Sequence, residues 1–234
     1  MKDIFYFKKF SLKQSSSLLK VGTDAVLLGA YIDCKDAKYI LDIGTGTGII
    51  ALALAQKSDA IIHALDINAE ACELANENFQ NSNWSDRLTV FCQAVQNFET
   101  NIKYDIIVSN PPYFSAVNAS PNKGKAIAKH DNELKLPDLL LNIKRLLNKN
   151  GLAYIIFPAL QHDSFIQECK NAKLFVSKKL FIIPKKGKQA NRIIFELSHQ
   201  FSICEDSHLT IENDFRHDYS EEYKELTKDY YLKF

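Results

Sequence analysis

Short apolar runs alternate with stretches of helical apolar spacing along most of the chain. Apolar runs of this length predict buried strands, and the stretches between them predict helices. The predicted strands are seven in number and lie at 38–43, 60–65, 88–92, 104–109, 151–157, 174–183 and 192–197. The predicted helices lie at 49–56, 68–81, 136–147 and 164–172. This alternation predicts an α/β fold with a doubly wound, mainly parallel sheet that ends in an antiparallel edge strand.

The first 36 residues precede the first predicted strand. We therefore expect one domain over residues 1–234, with 1–36 as an N-terminal extension and 37–234 as the core. Within the extension, Thr23 and Asp24 are suitable N-caps for a helix that begins at Ala25. Residues 114–133 have little apolar periodicity, and a loop of that length is usually functional or disordered.

Composition excludes several classes of protein. A chain of 234 residues with 46% hydrophobic and 24% charged residues suits one α/β domain. Its apolar runs are far shorter than the roughly 20 residues of a membrane span, and its N-terminus lacks a signal-peptide pattern, so we expect a cytoplasmic protein. The five cysteines and six histidines are dispersed, which predicts reduced thiols and no metal site. The oligomeric state is not specified, and a monomer is compatible with the sequence.

Charge is unevenly distributed, although the formal net charge is only +1. The stretch from Lys170 to Arg192 holds eight basic residues and no acidic one, whereas acids collect near the C-terminus. A basic face suits a polyanion such as nucleic acid, but solvated surface lysines are an equally good explanation. The residues predicted to contact RNA are Lys178, Lys179, Lys185, Lys186, Lys188 and Arg192.

Gly44, Gly46 and Gly48 lie between a predicted strand and a predicted helix, where a backbone must turn tightly against a ligand. A dinucleotide fingerprint would need a third glycine at position 49, which is Ile49, and no Lys-Ser/Thr pair follows to make a phosphate loop. Asp66 ends the second strand, where a carboxylate can bind ribose hydroxyls, although it could also cap the next helix.

The stretch Asn110-Pro111-Pro112-Tyr113 follows a predicted buried strand. An amide, two rigid prolines and an aromatic ring at a strand's carboxyl end can hold a planar group that carries an amine. A rigid loop without function is the simpler alternative.

These two stretches together resemble the motifs of a known enzyme class. The compact glycine pattern with Asp42 resembles the nucleotide loop of class I S-adenosylmethionine-dependent methyltransferases, which have a Rossmann-like fold. Asn110-Pro111-Pro112-Tyr113 is similar to the motif of amino-methyltransferases, which methylate planar nitrogens. The resemblance implies that S-adenosylmethionine is the cofactor and that Asn110 to Tyr113 are the catalytic residues.

The ends of the chain narrow the resemblance. Residues 20–30 and 219–232 are similar to the signatures of the bacterial tRNA1(Val) adenine-37 N6-methyltransferase family, and the similarity spans nearly the whole chain. This implies methylation of an adenine in tRNA, next to the anticodon. Carried over by position, the cofactor-binding residues are Thr23, Asp24, Asp42, Gly44, Gly46, Gly48, Asp66, Ile67, Val95 and Asn110.

One departure and three alternatives accompany this interpretation. Many relatives carry an acid after the third strand that binds the cofactor's adenine, whereas this chain has Gln93 to Gln96, so the contact is expected from backbone or from a glutamine. The same platform serves methyltransferases of ribosomal RNA guanine and of protein glutamine. A non-enzymatic alternative is an RNA-binding module that has lost activity.

Overall fold

The computed structural model describes residues 3–15, 21–112 and 134–234, which form ten strands and six α-helices. The strands are β1 Ile4–Tyr6, β2 Ser11–Lys13, β3 Tyr39–Ile43, β4 Ile61–Asp66, β5 Leu88–Cys92, β6 Tyr104–Ser109, β7 Leu147–Pro158, β8 Phe175–Lys185, β9 Arg192–Ser198 and β10 Glu205–Glu212. The helices are α1 Thr23–Tyr31, α2 Ile49–Ala55, α3 Ala69–Gln80, α4 Leu136–Leu146, α5 His162–Ala172 and α6 Glu221–Thr227. Each predicted strand and helix is confirmed, whereas β1, β2, β10 and α6 were not predicted.

The main sheet has the strand order β10-β8-β9-β7-β6-β3-β4-β5. Strands β3 to β7 are mutually parallel where they pair, β9 runs antiparallel to both neighbours, and β10 is parallel to β8. The doubly wound, mainly parallel fold is therefore confirmed. The prediction of a seven-stranded sheet is wrong, because the main sheet has eight strands within the described residues. The antiparallel strand, β9, lies inside this sheet rather than at its edge.

The additional strand β10 escaped prediction because its sequence lacks an apolar run. It begins with Glu205 and Asp206, and its larger apolar residues are only Leu209 and Ile211. Its pairing with β8 places these acids opposite lysines, since Glu205 is level with Lys178 and Asp206 with Lys179. Complementary charge and backbone hydrogen bonds therefore specify this strand, and hydrophobic periodicity does not.

Two apolar clusters sandwich the sheet. One lies against α1, α2 and α3, and the other against α4 and α5. Neighbouring residues of β3 face opposite clusters, because side chains alternate across a strand: Ile40 packs in the first cluster and Leu41 in the second. Both faces of the central strands are thus buried, as their continuous apolar runs require. No described helix is both long and apolar enough to cross a lipid bilayer.

The N-terminal segment packs against both α3 and the C-terminal segment. The hairpin formed by β1 and β2 meets α3 through Asn78, whose Oδ1 accepts a bond of 2.8 Å from the Lys13 N–H. Phe7 stacks on Phe10 with ring centroids 4.6 Å apart and lies 6.1 Å from Tyr231. The two ends of the described chain are therefore joined in one aromatic cluster.

The topology gathers three motifs at one edge of the sheet. Ile43 at the end of β3 is level with Leu65 in β4 and with Ser109 in β6. Because parallel strands end on the same side, the glycine loop, Asp66 and Asn110 all follow strands at this carboxyl edge. This is the crevice in which open parallel sheets bind ligands.

Candidate functional site

The glycine loop has a backbone that only glycine adopts readily. Gly44, Gly46 and Gly48 have φ angles of 75°, 55° and 83°, all in the left-handed region. A Cβ on Gly48 would lie 2.5 Å from Phe79 Cε1, so the loop also packs tightly on α3. A Cβ on Gly46 would meet no atom within 4 Å, so the other side of the loop faces open space.

Hydrogen bonds fix the loop to β4. The N–H groups of Gly44 and Thr45 both donate to the Leu65 carbonyl, at 2.8 and 2.9 Å. The Gly46 N–H donates to Asp66 Oδ2 at 2.9 Å, and Asp66 Oδ1 accepts from the Asn68 N–H at 2.9 Å. Asp66 is thus oriented by backbone amides at the rim of the loop. Each carboxylate oxygen keeps a further lone pair for a ligand hydroxyl.

Asp42 is a fully buried carboxyl group beneath the loop. Its Oδ2 accepts a bond of 2.6 Å from the Thr45 hydroxyl, whereas its buried Oδ1 has no hydrogen-bond partner among the described residues. Burial raises the pKa of Asp42 from 3.8 to about 7, and the hydrogen bond from Thr45 opposes this rise. The charge of Asp66 contributes a smaller increase. A carboxyl group in this condition is suited to the neighbourhood of a cationic ligand.

The platform residues begin where β6 ends. The Ser109 hydroxyl donates to the Ile43 carbonyl at 2.8 Å, which ties the end of β6 to the start of the glycine loop. Asn110 is half-buried and Pro111 is buried, whereas Pro112 is exposed. No hydrogen bond joins the Asn110 amide to another described residue, and Tyr113 lies outside the described residues, as does the predicted loop 114–133.

Asn78 is a site residue that sequence reasoning missed. It is buried within α3, and its Nδ2 donates to the Thr47 carbonyl at 2.8 Å and to the Lys13 carbonyl at 3.1 Å. One amide therefore holds the glycine loop and β2 on the same helix. The sequence feature that could have indicated it is a polar residue on the apolar face of α3, one turn from Leu74 and Ala75.

Arg145 of α4 orders the segment that follows β5. Its Nη2 donates to the carbonyls of Val95 and Phe98 at 3.1 and 3.0 Å. Val95 is buried in the core, so its carbonyl and side chain are both engaged by protein. Gln93 is half-buried and Gln96 is exposed, so the glutamine side chains are the more accessible groups of this segment.

Thr23 and Asp24 occupy the first turn of α1 at the same edge of the sheet. The prediction that one of them caps the helix is wrong, because α1 begins at Thr23 and its N-cap is Gly22. Asp24 Oδ2 lies 2.9 Å from Arg192 Nε at the start of β9. A predicted cofactor residue and a predicted RNA residue are therefore ion-paired with each other. Ile67, beyond Asp66, is 59% exposed.

The remaining predicted RNA-binding residues differ in their surroundings. Lys178 pairs with Glu196 at 3.6 Å, Lys179 with Asp206 at 3.1 Å, and exposed Lys186 with exposed Asp214 at 3.7 Å. Together with Arg192, these pairs give acidic partners to four of the eight basic residues between Lys170 and Arg192, which interrupts the basic face.

Lys185 and Lys188 differ from these compensated lysines. Within the described ranges, neither has an acidic partner within ion-pairing distance. Both lie at the tip of the β8–β9 hairpin.

The hairpin tip projects beyond the carboxyl edge. Lys179 is level with Ser109 through Phe195 and Ile155. Strand β8 continues six residues to Lys185, which at about 3.3 Å per residue is roughly 20 Å of strand. Lys185 and Lys188 thus lie past the edge at which the platform begins.

The part of the chain that the structure describes contains no cluster of side chains that could bind a metal ion. No group of three or more His, Cys, Asp or Glu side chains comes together there. The five cysteines are free, and Cys34, Cys72 and Cys169 are buried.

Comparison with known proteins gives consistent results. The model of the methyltransferase small domain matches residues 15–137. A tRNA1(Val) (adenine(37)-N6)-methyltransferase from Parabacteroides distasonis is 41% identical over 232 residues, which cover 98% of each chain. Proteins of the same name from Phocaeicola vulgatus and Vibrio campbellii are 42% and 37% identical, over 97% and 98% of this chain and 97% and 95% of theirs.

Solved structures share the fold at low identity. A predicted O-methyltransferase from Agrobacterium tumefaciens has a TM-score of 0.65 at 17% identity, covering 88% of this chain and 96% of that chain. A tRNA methyltransferase from M. jannaschii has a TM-score of 0.63 at 12% identity, covering 86% of this chain and 57% of that chain. These likenesses show the class I methyltransferase fold.

Proposed function

Because the chain belongs to the family of tRNA1(Val) (adenine(37)-N6)-methyltransferases, we propose that it methylates the N6 amine of adenine 37 in that tRNA. It is a methyltransferase that uses S-adenosylmethionine. The observation that carries the site assignment is the meeting of two motifs at one sheet edge. The Ser109 hydroxyl joins the strand before Asn110 to the residue before Gly44.

The residues present fit the cofactor. Open space beside Gly44 and Gly46 leaves room for a ligand against the backbone. Asp66 is oriented to accept hydrogen bonds from the ribose hydroxyls, and the Asp42 carboxyl group below the loop would complement a cationic group of the cofactor. When bound, the cofactor supplies a methyl group already activated by a positive sulfonium.

The Asn110 side chain and the Pro111 carbonyl hold the substrate amine. An exocyclic aromatic amine is a poor nucleophile, because its lone pair is delocalised into the ring. We propose that the Asn110 side-chain oxygen and the Pro111 carbonyl accept hydrogen bonds from the two N–H bonds of this amine. These hydrogen bonds direct the lone pair of the nitrogen toward the methyl group. Positioning two reactants in this way typically lowers the activation free energy by several kcal/mol. We propose that Tyr113 stacks on the base.

The first turn of α1 and the segment after β5 complete the proposed cofactor pocket. Thr23 and Asp24 close over the cofactor, with Asp24 held in place by Arg192. Ile67 contributes an exposed apolar side chain beside Asp66, and Val95 supports the segment from which Gln93 reaches the adenine.

RNA contacts are proposed chiefly at the hairpin tip. Lys185 and Lys188 lie past the carboxyl edge, where a folded RNA must dock to present a splayed-out base. Lys178, Lys179, Lys186 and Arg192 have acidic partners and contribute less. We further propose one domain over residues 1–234, with 1–36 as its extension and 37–234 as its core, acting in the cytoplasm.

The test uses purified protein, labelled S-adenosylmethionine and unmodified valine tRNA. We expect one methyl group per tRNA, recovered as N6-methyladenosine at position 37. A transcript with guanosine at position 37 is the matched control and should accept no label. Transfer into ribosomal subunits or into a protein glutamine, with none into tRNA, would overturn the proposal in favour of the related enzymes that share the platform.

A further inference from the structure

A cavity lies between the N-terminal hairpin and the C-terminal segment. Its volume is about 640 Å³, within the range of small-ligand sites. None of the glycine-loop residues, Asp66 or Asn110 is among the described residues that line it. Its walls are rich in aromatic rings, contributed by Phe5, Tyr6, Tyr219, Tyr223, Tyr231 and Phe234.

The rings of the C-terminal segment pack on one another, whereas Tyr6 is open to solvent. Tyr219 stacks on Tyr223 with centroids 5.2 Å apart, and Phe234 meets Tyr219 edge-on at 5.1 Å. Tyr6 lines the same cavity from β1 and is 60% exposed. A planar ring can therefore stack on Tyr6 without displacing a packed core residue.

Basic side chains and the carboxylate of Glu212 lie among the rings. Arg216, His217 and Lys233 line the cavity together with Glu212. His217 has a φ of 67°, a left-handed conformation that is uncommon outside glycine. Its N–H donates to Glu212 Oε1 at 2.8 Å, and the Asn213 N–H donates to the Asp218 carbonyl at 2.7 Å. The turn that carries Arg216 is therefore held in one shape.

The cavity lies on the side of the molecule that carries the start of α1 and the tip of the β8–β9 hairpin. Thr23, at the start of α1, is part of its wall. Glu212 is level with Lys185, and its carbonyl accepts from the Lys186 N–H at 2.8 Å. The cavity is thus continuous with the hairpin tip that projects past the platform.

We propose that this cavity binds an unpaired nucleobase of the RNA substrate, other than the base that is methylated. Aromatic faces stack on any base, and guanidinium and ammonium groups bind the adjoining phosphates. Glu212 supplies an acceptor for a base N–H. The inference rests on the proposed function, because it assumes an RNA substrate, and it deepens that function by assigning a second contact.

The experiment measures the affinity of the full chain for a fluorescent, unmodified anticodon stem-loop of valine tRNA at fixed salt. Tyr6→Leu removes the exposed ring, and Arg216→Gln removes an exposed cation. Phe201→Leu and Lys149→Gln are matched controls, because both residues are exposed and Phe201 and Lys149 lie outside the cavity lining. Cofactor affinity and thermal unfolding are measured for each variant.

We expect Tyr6→Leu to weaken RNA binding about tenfold, the effect typical of losing one stacked base, with cofactor affinity and stability unchanged. One abasic substitution in the stem-loop should weaken binding to the wild-type chain by the same factor. The same substitution should not weaken binding to the Tyr6→Leu variant any further. RNA affinities equal to those of the controls would overturn the inference. A wild-type chain that binds the stem-loop in this manner but does not methylate adenine 37 would overturn the proposed function and leave the nucleobase site standing.

Discussion

The two halves of the carboxyl edge are built differently. Around the glycine loop, the backbone N–H groups of Gly44, Thr45 and Gly46 donate hydrogen bonds to Leu65 and Asp66 at the end of the neighbouring strand β4. Around the β8–β9 hairpin, the polar contacts are ion pairs between side chains. Asp24 pairs with Arg192, for example, and Lys179 with Asp206.

This difference indicates how each half works. The cofactor half is a rigid cradle whose geometry depends on left-handed glycines and buried polar atoms. The substrate half has compensated charges, so its affinity for a polyanion should come from a few residues rather than from a broad basic surface. Substitutions in the first half should act on chemistry and folding, and substitutions in the second half on RNA binding.

The largest expected effect is at the boundary of the two halves. Asn110→Ala removes a proposed acceptor for the substrate amine, so the turnover rate should fall at least about a hundredfold. Single-turnover kinetics measure the rate, and calorimetry should show cofactor affinity nearly unchanged. Asn191→Ala, at an exposed asparagine outside the platform, is a control that should retain its rate. Loss of cofactor binding in Asn110→Ala would assign this residue to the cradle instead.

The next largest expected effect is a loss of stability when the packing between the glycine loop and α3 is disturbed. Gly48→Ala adds backbone strain of about 1 kcal/mol and a clash with Phe79, which overpacking series place at about 1–3 kcal/mol. Gly187→Ala is the matched control in the other half, because Gly187 has a φ of 79° with no atom within 4 Å of a Cβ. Denaturant titration should show the larger loss of unfolding free energy for Gly48→Ala. Equal losses would mean that Phe79 moves aside freely.

The pH dependence of cofactor binding tests the buried carboxyl group. With its pKa at about 7, Asp42 is largely protonated in the free protein below that pH. A cationic ligand favours the carboxylate, so binding should release a proton, and affinity should fall up to about tenfold per pH unit below 7. Because the folded-state pKa lies above 3.8, this group also makes the free protein less stable as pH rises from about 4 to 7.

Calorimetry in two buffers of different ionisation enthalpy measures the proton release. Asp42→Asn should abolish the release between pH 5 and pH 7, roughly the interval in which the group titrates. Release that persists in this variant would place the titrating group elsewhere.

The smallest effects separate the lysines of the substrate half. Lys185→Gln and Lys188→Gln should each lower the slope of log affinity against log salt by about one, because each lysine would neutralise one phosphate. Lys178→Gln, at a lysine paired with Glu196, is the control and should leave the slope unchanged. Filter binding across a salt series measures the slopes. A larger change at Lys178 than at Lys188 would reverse the proposed distinction.

The sequence predicted the fold and the cofactor loop because both depend on local patterns. Continuous apolar runs and the spacing of Gly44, Gly46 and Gly48 specify buried strands and a tight turn wherever they occur. Strand β10 could not be predicted in this way, because it is specified by the lysines of β8 across a long intervening segment. Asn78 was missed for a similar reason, since its three bonds join parts of the chain that only tertiary structure brings together.

The most direct test of the central claim is the mapping of modified nucleosides in valine tRNA from cells with and without this protein. The account predicts that N6-methyladenosine at position 37 disappears when the gene is deleted, returns with the wild-type gene, and does not return with Asn110→Ala. Full modification of position 37 in the deleted strain, or restoration by the Asn110→Ala gene, would contradict it.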